Sequence, residues 1–128
     1  HSGHYYFTNN FRADSGLVAT VVLLGLMSAD GRRLSAMAED FDRYAQSGEL
    51  NTRVPDPQAT IHRVADHYRD TAIHLDWLDG MTADFGDWWF NLRTSNTEPL
   101  LRLNLEAQNT EACQTRTREV LALLKEDT

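Results

Sequence analysis

The chain has 128 residues, of which 41% are apolar and 24% charged, and its formal net charge is −7. This composition is that of one folded domain, or one small domain with an appendage, and it excludes a disordered or fibrous protein. The acidic balance argues against general nucleic-acid binding, because a phosphate backbone would be repelled, yet it leaves room for a local cationic pocket that holds one small anion. The single cysteine, Cys113, cannot form an intramolecular disulfide and is expected to be an apolar helix residue.

The first 47 residues are predicted to form a loop and two helices. Residues 5–7 are typical of a short strand, and Asp14 is predicted to cap a helix over residues 15–29 that Gly31 ends. This helix is apolar on both sides and is therefore expected to be buried nearly all round. Its apolar run, residues 17–27, is much shorter than the roughly 20 residues that cross a bilayer. A second helix is predicted over residues 35–45 and ends before Ser47 and Gly48.

Residues 48–128 are predicted to form a complete second part. A strand over residues 49–54 precedes a helix over residues 57–69, which Asp56 caps and Pro57 opens. From residue 73 the apolar period becomes two, which predicts strands over residues 73–79, 81–85, 88–93 and 101–107. Asp79 and Gly80 form a strong hairpin signal, and Asn109 or Thr110 is expected to cap a last helix.

These elements predict an α+β fold class. The second part is expected to be a mainly antiparallel sheet of four to five strands with two helices on one face. The loop and two helices that precede it have no sheet of their own to cover, so they are interpreted as the remainder of an α/β domain. The chain also opens within a polar loop, without an initiator Met and without the pattern of a signal peptide, which predicts a segment of a longer protein.

That opening loop, His1-Ser2-Gly3-His4, contains two histidines three residues apart. The spacing could serve a metal, but no third ligand is nearby, so a metal site is not expected there. His4 could act as an acid or base because histidine titrates near neutral pH, although a lone surface histidine usually has no such role.

The loop between the last two predicted strands, residues 93–99, is rich in hydrogen-bond donors. Arg93 offers a planar guanidinium fork, and Ser95, Asn96 and Thr97 add hydroxyl, amide and backbone N–H groups. A phosphate group needs donors of this kind around its oxygens. The alternative is a polar turn that caps itself through Ser95 and Asn96, and composition alone favours that alternative.

Trp88 and Trp89 fall on opposite faces of one predicted strand. One of them is expected in the core. The other either stacks on a sugar or a partner or, as the favoured interpretation, packs under a helix.

Four segments together resemble one enzyme family, the α-D-phosphohexomutases. They occur in the family's order and spacing: Ser-Gly-His-Tyr-Tyr-Phe at residues 2–7, Arg-Ala-Asp-Ser-Gly at residues 12–16, Asp-Trp-Trp-Phe-Asn-Leu-Arg at residues 87–93, and Ser-Asn-Thr-Glu-Pro at residues 95–99 with Leu-Arg-Leu at residues 101–103. The whole chain resembles the C-terminal part of these enzymes, and most of all the bacterial phosphomannomutase/phosphoglucomutase branch.

The resemblance implies a domain organisation and a reaction. Family members have four domains around one cleft: the first carries a phosphoserine, the second holds Mg²⁺, the third reads sugar hydroxyls and the fourth grips the substrate phosphate. Phosphate passes from the serine to a hexose phosphate, and the bisphosphate formed returns its other phosphate. Residues 1–47 are then the C-terminal tail of the third domain, and residues 48–128 are the fourth domain, which has a TATA-box-binding-protein-like fold. A hinge is implied near Ser47 and Gly48.

The resemblance also implies roles for single residues. It assigns Ser2 and His4 to the sugar loop, with an acid/base or orienting role for His4. It assigns the substrate phosphate to the loop residues Arg93, Ser95, Asn96 and Thr97.

The implied ligands are hexose phosphates, namely mannose or glucose 1- and 6-phosphate, and the implied partners are the remaining domains of the parent enzyme. Nucleic acid and membrane are not expected as partners, and a cytoplasmic location is implied. Mg²⁺ belongs to the second domain of the parent, so no cofactor is expected in this chain, and the isolated chain is expected to be inactive. Two alternatives remain: a phosphoglucosamine mutase, or a non-catalytic interaction or structural domain in which the loop is only a turn.

Overall fold

The computed structural model describes residues 3–95 and 98–125 of the chain. The chain divides into two compact units, His1–Asp42 and Arg43–Thr128. Among the described residues, no helix is long and apolar enough to cross a membrane.

The first unit contains one hairpin, whose strands are two residues long, and two helices. These elements are β1 (Tyr6–Phe7), β2 (Ala13–Asp14), α1 (Gly16–Asp30) and α2 (Leu34–Glu39). The cap of α1 is Ser15 rather than the predicted Asp14. The Ser15 hydroxyl accepts the Val18 N–H at 3.2 Å, whereas Asp14 ends β2 and accepts the Tyr5 N–H at 3.1 Å. Gly31, at a φ of +79°, ends α1 as predicted.

Two expectations for the first unit are wrong. Helix α1 contains no buried residue, and Leu17 is 83% exposed. A helix needs another layer to cover its apolar surface, and the described part of this unit supplies only one short hairpin and one short helix. The second helix ends at Glu39 instead of Ala45, because Ala45 and its neighbour pair with a strand of the second unit's sheet.

The second unit is an α+β layer, as predicted. Its elements are β3 (Ala45–Gln46), β4 (Leu50–Arg53), α3 (Pro57–Tyr68), β5 (His74–Asp76), β6 (Met81–Asp84), β7 (Trp88–Thr94), β8 (Leu100–Ala107) and α4 (Thr110–Leu124). The strand order is β3-β8-β7-β6-β5, β4 also pairs with β8, and all pairings are antiparallel. The described sheet has six strands, one more than the upper expectation, because β3 lies in the segment predicted as helix.

Alternation along β7 and β8 sets which face of the sheet is buried. The buried face carries apolar side chains from β6, β7 and β8, and α3 and α4 cover it. Both helices begin where the sequence predicts, since Asp56 accepts the Ala59 N–H and Asn109 accepts the Ala112 N–H. The fully buried members of this core are Val64, Met81, Ala83, Phe90, Leu92, Leu101, Leu103 and Val120.

The opposite, open face of the sheet carries the other alternating set. On β7 this set is Trp89, Asn91 and Arg93, and on β8 it includes Arg102 and Asn104. The burial pattern of both strands alternates between buried and half-buried residues, so the open-face side chains are only partly shielded from water. This face holds the charged groups that follow.

A bulge separates β3 from β4 along the same edge of β8. Gln46 pairs with Glu106 and Leu50 pairs with Leu103, so the three residues 47–49 face the two residues 104 and 105. Gly48 lies within the bulge at a φ of +66°, a left-handed conformation that glycine adopts without strain. The extra residue shifts the alternation by one and brings Glu49 onto the open face while Leu50 points to the core side.

Candidate functional site

Two arginines lie opposite each other on the open face of the sheet. Arg93 on β7 is in register with Arg102 on β8, and both side chains are partly exposed, 25% and 34%. Opposed residues in antiparallel strands have Cβ atoms about 4.5–5.5 Å apart, so two like charges there repel each other. Such a pair needs an anion close by.

Glu49 supplies the nearest anion. Its Oε2 lies 3.2 Å from Arg93 Nη2, and its Oε1 lies 3.8 Å from Arg102 Nη1. Asp79 is a more distant partner, with Oδ2 4.0 Å from Arg93 Nη1 and a side chain that is 68% exposed. Two guanidinium groups and two carboxylates therefore form one small cluster whose formal charges balance.

The loop that joins β7 to β8 starts beside this cluster. The Ser95 N–H donates to the Leu100 carbonyl at 2.9 Å, and the Leu100 N–H donates to the Glu98 carbonyl at 2.7 Å. These two backbone groups therefore close the loop on itself. Asn96 and Thr97, which the family resemblance assigns to phosphate, lie outside the described residues.

A tight turn fixes the backbone of Arg93. Gly80, at a φ of +71°, sits so close to β7 that a Cβ there would lie 2.5 Å from the Leu92 carbonyl oxygen and 2.7 Å from Arg93 Cβ. Asn91 holds the same turn by donating from Nδ2 to the Asp79 carbonyl at 2.8 Å. Arg93 therefore projects from a strand whose position is set from two sides.

His4 belongs to the first unit, and its Nε2 lies 3.8 Å from Asp14 Oδ2. The imidazole is 54% exposed, so it is accessible to water and is paired only loosely. Ser2, its companion in the predicted sugar loop, lies outside the described residues.

The sequence alone did not place Glu49, Asp79 or Arg102 in the candidate site. The alternation of Leu101, Arg102 and Leu103 was the available signal for Arg102, because it places the arginine on the polar face of β8. Glu49 had no comparable signal, since its face depends on the bulge at Gly48, which appears only when β4 is aligned with β8.

Trp88 and Trp89 lie on opposite faces of β7, as predicted, but Trp89 does not pack where it was expected to. Trp88 is 6% exposed in the core, whereas Trp89 lies on the open face and donates from Nε1 to Glu106 Oε2 at 3.3 Å. The favoured interpretation, that the second tryptophan packs under a helix, is wrong, because α3 and α4 cover only the opposite face.

A pocket of about 620 Å³ lies on the helical side, beside Trp88. The Trp88 ring stacks on Phe85 at 4.0 Å, and the guanidinium carbon of Arg116 lies 5.0 Å from the Trp88 ring centre. Tyr68 also lines this pocket, and burial together with the nearby Glu119 raises the pKa of its phenol, partly opposed by Arg116. The ring contacts of Trp88 stabilise the core of the second unit.

The described residues do not fit a metal centre. Across residues 3–95 and 98–125, no three His, Cys, Asp or Glu side chains are grouped so that they could hold a metal ion. The acidic groups nearest the arginine pair, Glu49 and Asp79, are engaged with guanidinium groups.

Two protein-family models match the chain. The model described as phosphoglucomutase/phosphomannomutase, C-terminal domain, matches residues 49–123. The model described as phosphoglucomutase/phosphomannomutase, alpha/beta/alpha domain III, matches residues 1–44.

Individual relatives of the chain carry names of the same group of enzymes. The chain is 45% identical over 126 residues to a protein named "Phosphohexose mutases" from Xanthomonas campestris pv. campestris, and 37% identical over 127 residues to a phosphomannomutase from Escherichia coli K12. These matches cover 97% and 98% of the chain but only 28% of each relative. A crystal structure of a phosphoglucomutase/phosphomannomutase family protein from Burkholderia thailandensis matches with a TM-score of 0.73 at 25% identity, over 98% of this chain and 27% of that one.

Proposed function

Since the chain belongs to the phosphoglucomutase/phosphomannomutase family, we propose that its second unit binds the phosphate group of a hexose phosphate at the junction of β7 and β8. The chain spans about 28% of the length of the curated relatives it matches. The proposed parent activity is that of a phosphohexomutase, an isomerase that interconverts hexose 1-phosphate and hexose 6-phosphate through a phosphoserine and a bisphosphate intermediate.

The observation that carries this proposal is the in-register pair of Arg93 and Arg102 on the open face. Two guanidinium groups on neighbouring strands offer a pair of charged donors to an anion within a chain whose net charge is −7. Glu49 already places its two carboxylate oxygens against them. A phosphate also presents several oxygens and carries more charge than a carboxylate, so it fits the same pair of donors.

Each residue of the proposed site has a separate task. Arg93 holds two phosphate oxygens with its planar fork and thereby fixes the orientation of the group, while Arg102 neutralises charge from the adjacent strand. The Ser95 hydroxyl stands at the start of the loop, where it is suited to a further phosphate oxygen. Asn96 and Thr97 are assigned to the same group on the strength of the family resemblance alone.

The first unit has a proposed role of its own. By the same resemblance, residues 1–47 are the tail of the sugar-binding third domain, and Ser2 and His4 contact the sugar, with His4 placed to orient or to exchange a proton. The half-exposed imidazole beside Asp14 is compatible with proton exchange, because water reaches it directly. Residues 48–128 are the phosphate-binding fourth domain, and residues near Ser47 and Gly48 form the proposed hinge.

The proposed ligands are mannose or glucose 1- and 6-phosphate, and the proposed partners are the other domains of the parent enzyme. Among the described residues, no three His, Cys, Asp or Glu side chains are grouped for a metal ion, and the family resemblance assigns the metal and the phosphoserine to other domains of the parent. We therefore expect the isolated chain to bind a hexose phosphate without converting it.

Removing the Arg93 fork tests the proposal. Titration calorimetry with mannose 1-phosphate on Arg93→Gln is expected to show affinity lower by about 10–150-fold, because a charged bidentate contact is worth ~1.5–3 kcal/mol. Arg118→Gln is the matched control: it removes the same charge from helix α4, which packs on the other face of the sheet, and is expected to bind like the unaltered chain.

Two results would count against the proposal. Equal affinity of the two variants would show that the ligand binds elsewhere. No binding by the unaltered chain would favour the alternative in which residues 93–99 form only a structural turn.

A further inference from the structure

Glu49 contacts both arginines of the proposed phosphate site. We propose that Glu49 is an internal competitor of the phosphate site: its carboxylate occupies Arg93 and Arg102 when the site is empty, and phosphate binds by displacing it. This inference rests on the proposed phosphate site and adds a residue that determines its affinity.

The contact geometry supports displacement rather than shared binding. One Glu49 oxygen faces Arg93 at 3.2 Å and the other faces Arg102 at 3.8 Å. The carboxylate thus bridges the two guanidinium groups in the way that two oxygens of a phosphate would. A phosphate bridging the same groups would bring like charges within a few ångströms of each other, and unscreened repulsion at such a distance disfavours joint occupancy.

A bulge in the edge strand places Glu49 on the open face of the sheet, beside the two arginines. The bulge at residues 47–49 shifts the alternation between β3 and β4, and without the extra residue Glu49 would fall on the core side of the edge strand. Ser47 anchors the bulge, since its hydroxyl accepts the Leu105 N–H at 3.0 Å and its own N–H donates to the Leu105 carbonyl at 2.9 Å. These two hydrogen bonds hold the bulge against β8, and release of the arginines requires only that the Glu49 side chain moves.

The side chain is free to leave at low cost. Glu49 is 38% exposed, so water already reaches its side chain. An ion pair with this exposure is weak, because water and salt screen it. Both ligands form charge-assisted hydrogen bonds with guanidinium groups, but a dianionic phosphate carries twice the charge of the carboxylate and more acceptor oxygens, which favours its displacement of Glu49.

Competition predicts the direction in which phosphate affinity changes when the Glu49 charge is removed. If Glu49 occupies the arginines for most of the time, the apparent phosphate affinity is reduced by the fraction of molecules with a free site. Removing the carboxylate charge then strengthens binding. If Glu49 instead serves only to orient the arginines for phosphate, removing its charge weakens binding.

The test compares Glu49→Gln with Glu106→Gln in amide NMR titrations with inorganic phosphate, followed at Thr94 and Ser95. Glu106 lies on the same face of β8, four residues from Arg102 and thus about 13 Å along the strand, so its removal changes the net charge equally without touching the arginines. Glu49→Gln is expected to bind about two- to fivefold tighter than the unaltered chain. Glu106→Gln is expected to change affinity less than twofold, because screening weakens exposed charges at that separation.

A second measurement needs no variant. In the unaltered chain, the carboxyl carbon resonance of Glu49 is expected to shift along the same binding curve as the Ser95 amide. Equal or weaker binding by Glu49→Gln, or an unchanged Glu49 carboxyl resonance at phosphate saturation, overturns the inference and leaves the phosphate site standing. Absence of saturable shifts in the unaltered chain and in Glu49→Gln alike overturns the proposed phosphate site and the inference with it.

Discussion

The contact between Gly80 and β7 allows one stability prediction to be worked out in detail. In Gly80→Ala, the new Cβ would lie 2.5 Å from the Leu92 carbonyl oxygen, 2.7 Å from Arg93 Cβ and 2.8 Å from Arg93 Cα. All three atoms belong to or adjoin the backbone of β7, so no flexible side-chain end can move aside. Either the turn or the strand must shift.

Two costs add in this variant. A residue with a Cβ held at a φ of +71° costs ~1–2 kcal/mol relative to glycine. Overpacking against a fixed strand adds ~1–3 kcal/mol. We therefore expect Gly80→Ala to lower the free energy of unfolding by about 2–5 kcal/mol.

Gly48→Ala separates the two costs. Gly48 has a similar φ of +66°, but a Cβ there meets no atom within 4 Å, so only the conformational cost of ~1–2 kcal/mol applies. Urea unfolding followed by tryptophan fluorescence reports on the second unit, which contains Trp77, Trp88 and Trp89. Equal destabilisation by the two substitutions would refute the argument that the turn is packed tightly against Arg93.

Two further predictions concern the core of the second unit. Leu103→Ala removes a fully buried side chain from the strand that pairs with β3, β4 and β7, and urea unfolding is expected to show a free energy of unfolding lower by ~2–5 kcal/mol. Asn104→Ala, on the open face, should lower it far less. A comparable decrease in the two variants would contradict the assignment of faces. Burial raises the pKa of Tyr68, so the folded state holds that proton more tightly than the unfolded state, and its contribution to stability is complete below about pH 10 and is lost as the pH rises through the raised value. Alkaline titration of phenolate absorbance should therefore show a step above the usual range of tyrosine that is missing in Tyr68→Phe. Persistence of that step in the variant would assign it to another residue.

The elements of the second unit were predictable because their signals are local. Alternation defined β6, β7 and β8 to within a residue or two, and Asp56 with Pro57 defined the start of α3. The short strand β3 was not predictable in the same way. Its two residues follow a helical pattern of apolar residues, and only pairing with the far end of β8 makes them a strand.

Burial in the first unit was misjudged for a related reason. The composition of α1 predicts a helix covered on all sides, but burial depends on surfaces that other elements supply. Leu17 and Val21 remain 83% and 68% exposed in the described structure because no neighbouring layer lies on them. The helix itself, its glycine end and its approximate bounds could be derived from local sequence alone.

Only part of the candidate site could be predicted from the sequence. Arg93 and the loop that follows it stand out by their density of donors. Arg102 joins them only through strand register, and Glu49 joins only through a bulge on a third strand. Long-range pairing of this kind leaves no local pattern, so the opposing carboxylate could not be inferred before β4 was placed beside β8.

If the end of the sheet carrying Arg93 binds a phosphate group, an amide NMR titration of the chain with mannose 1-phosphate, inorganic phosphate and free mannose will show it. Saturable shifts centred on Thr94 and Ser95 are expected with both phosphate-bearing ligands, and none are expected there with free mannose. An intact, well-dispersed spectrum in which these amides do not respond, or respond equally to free mannose, would contradict phosphate binding at this end of the sheet.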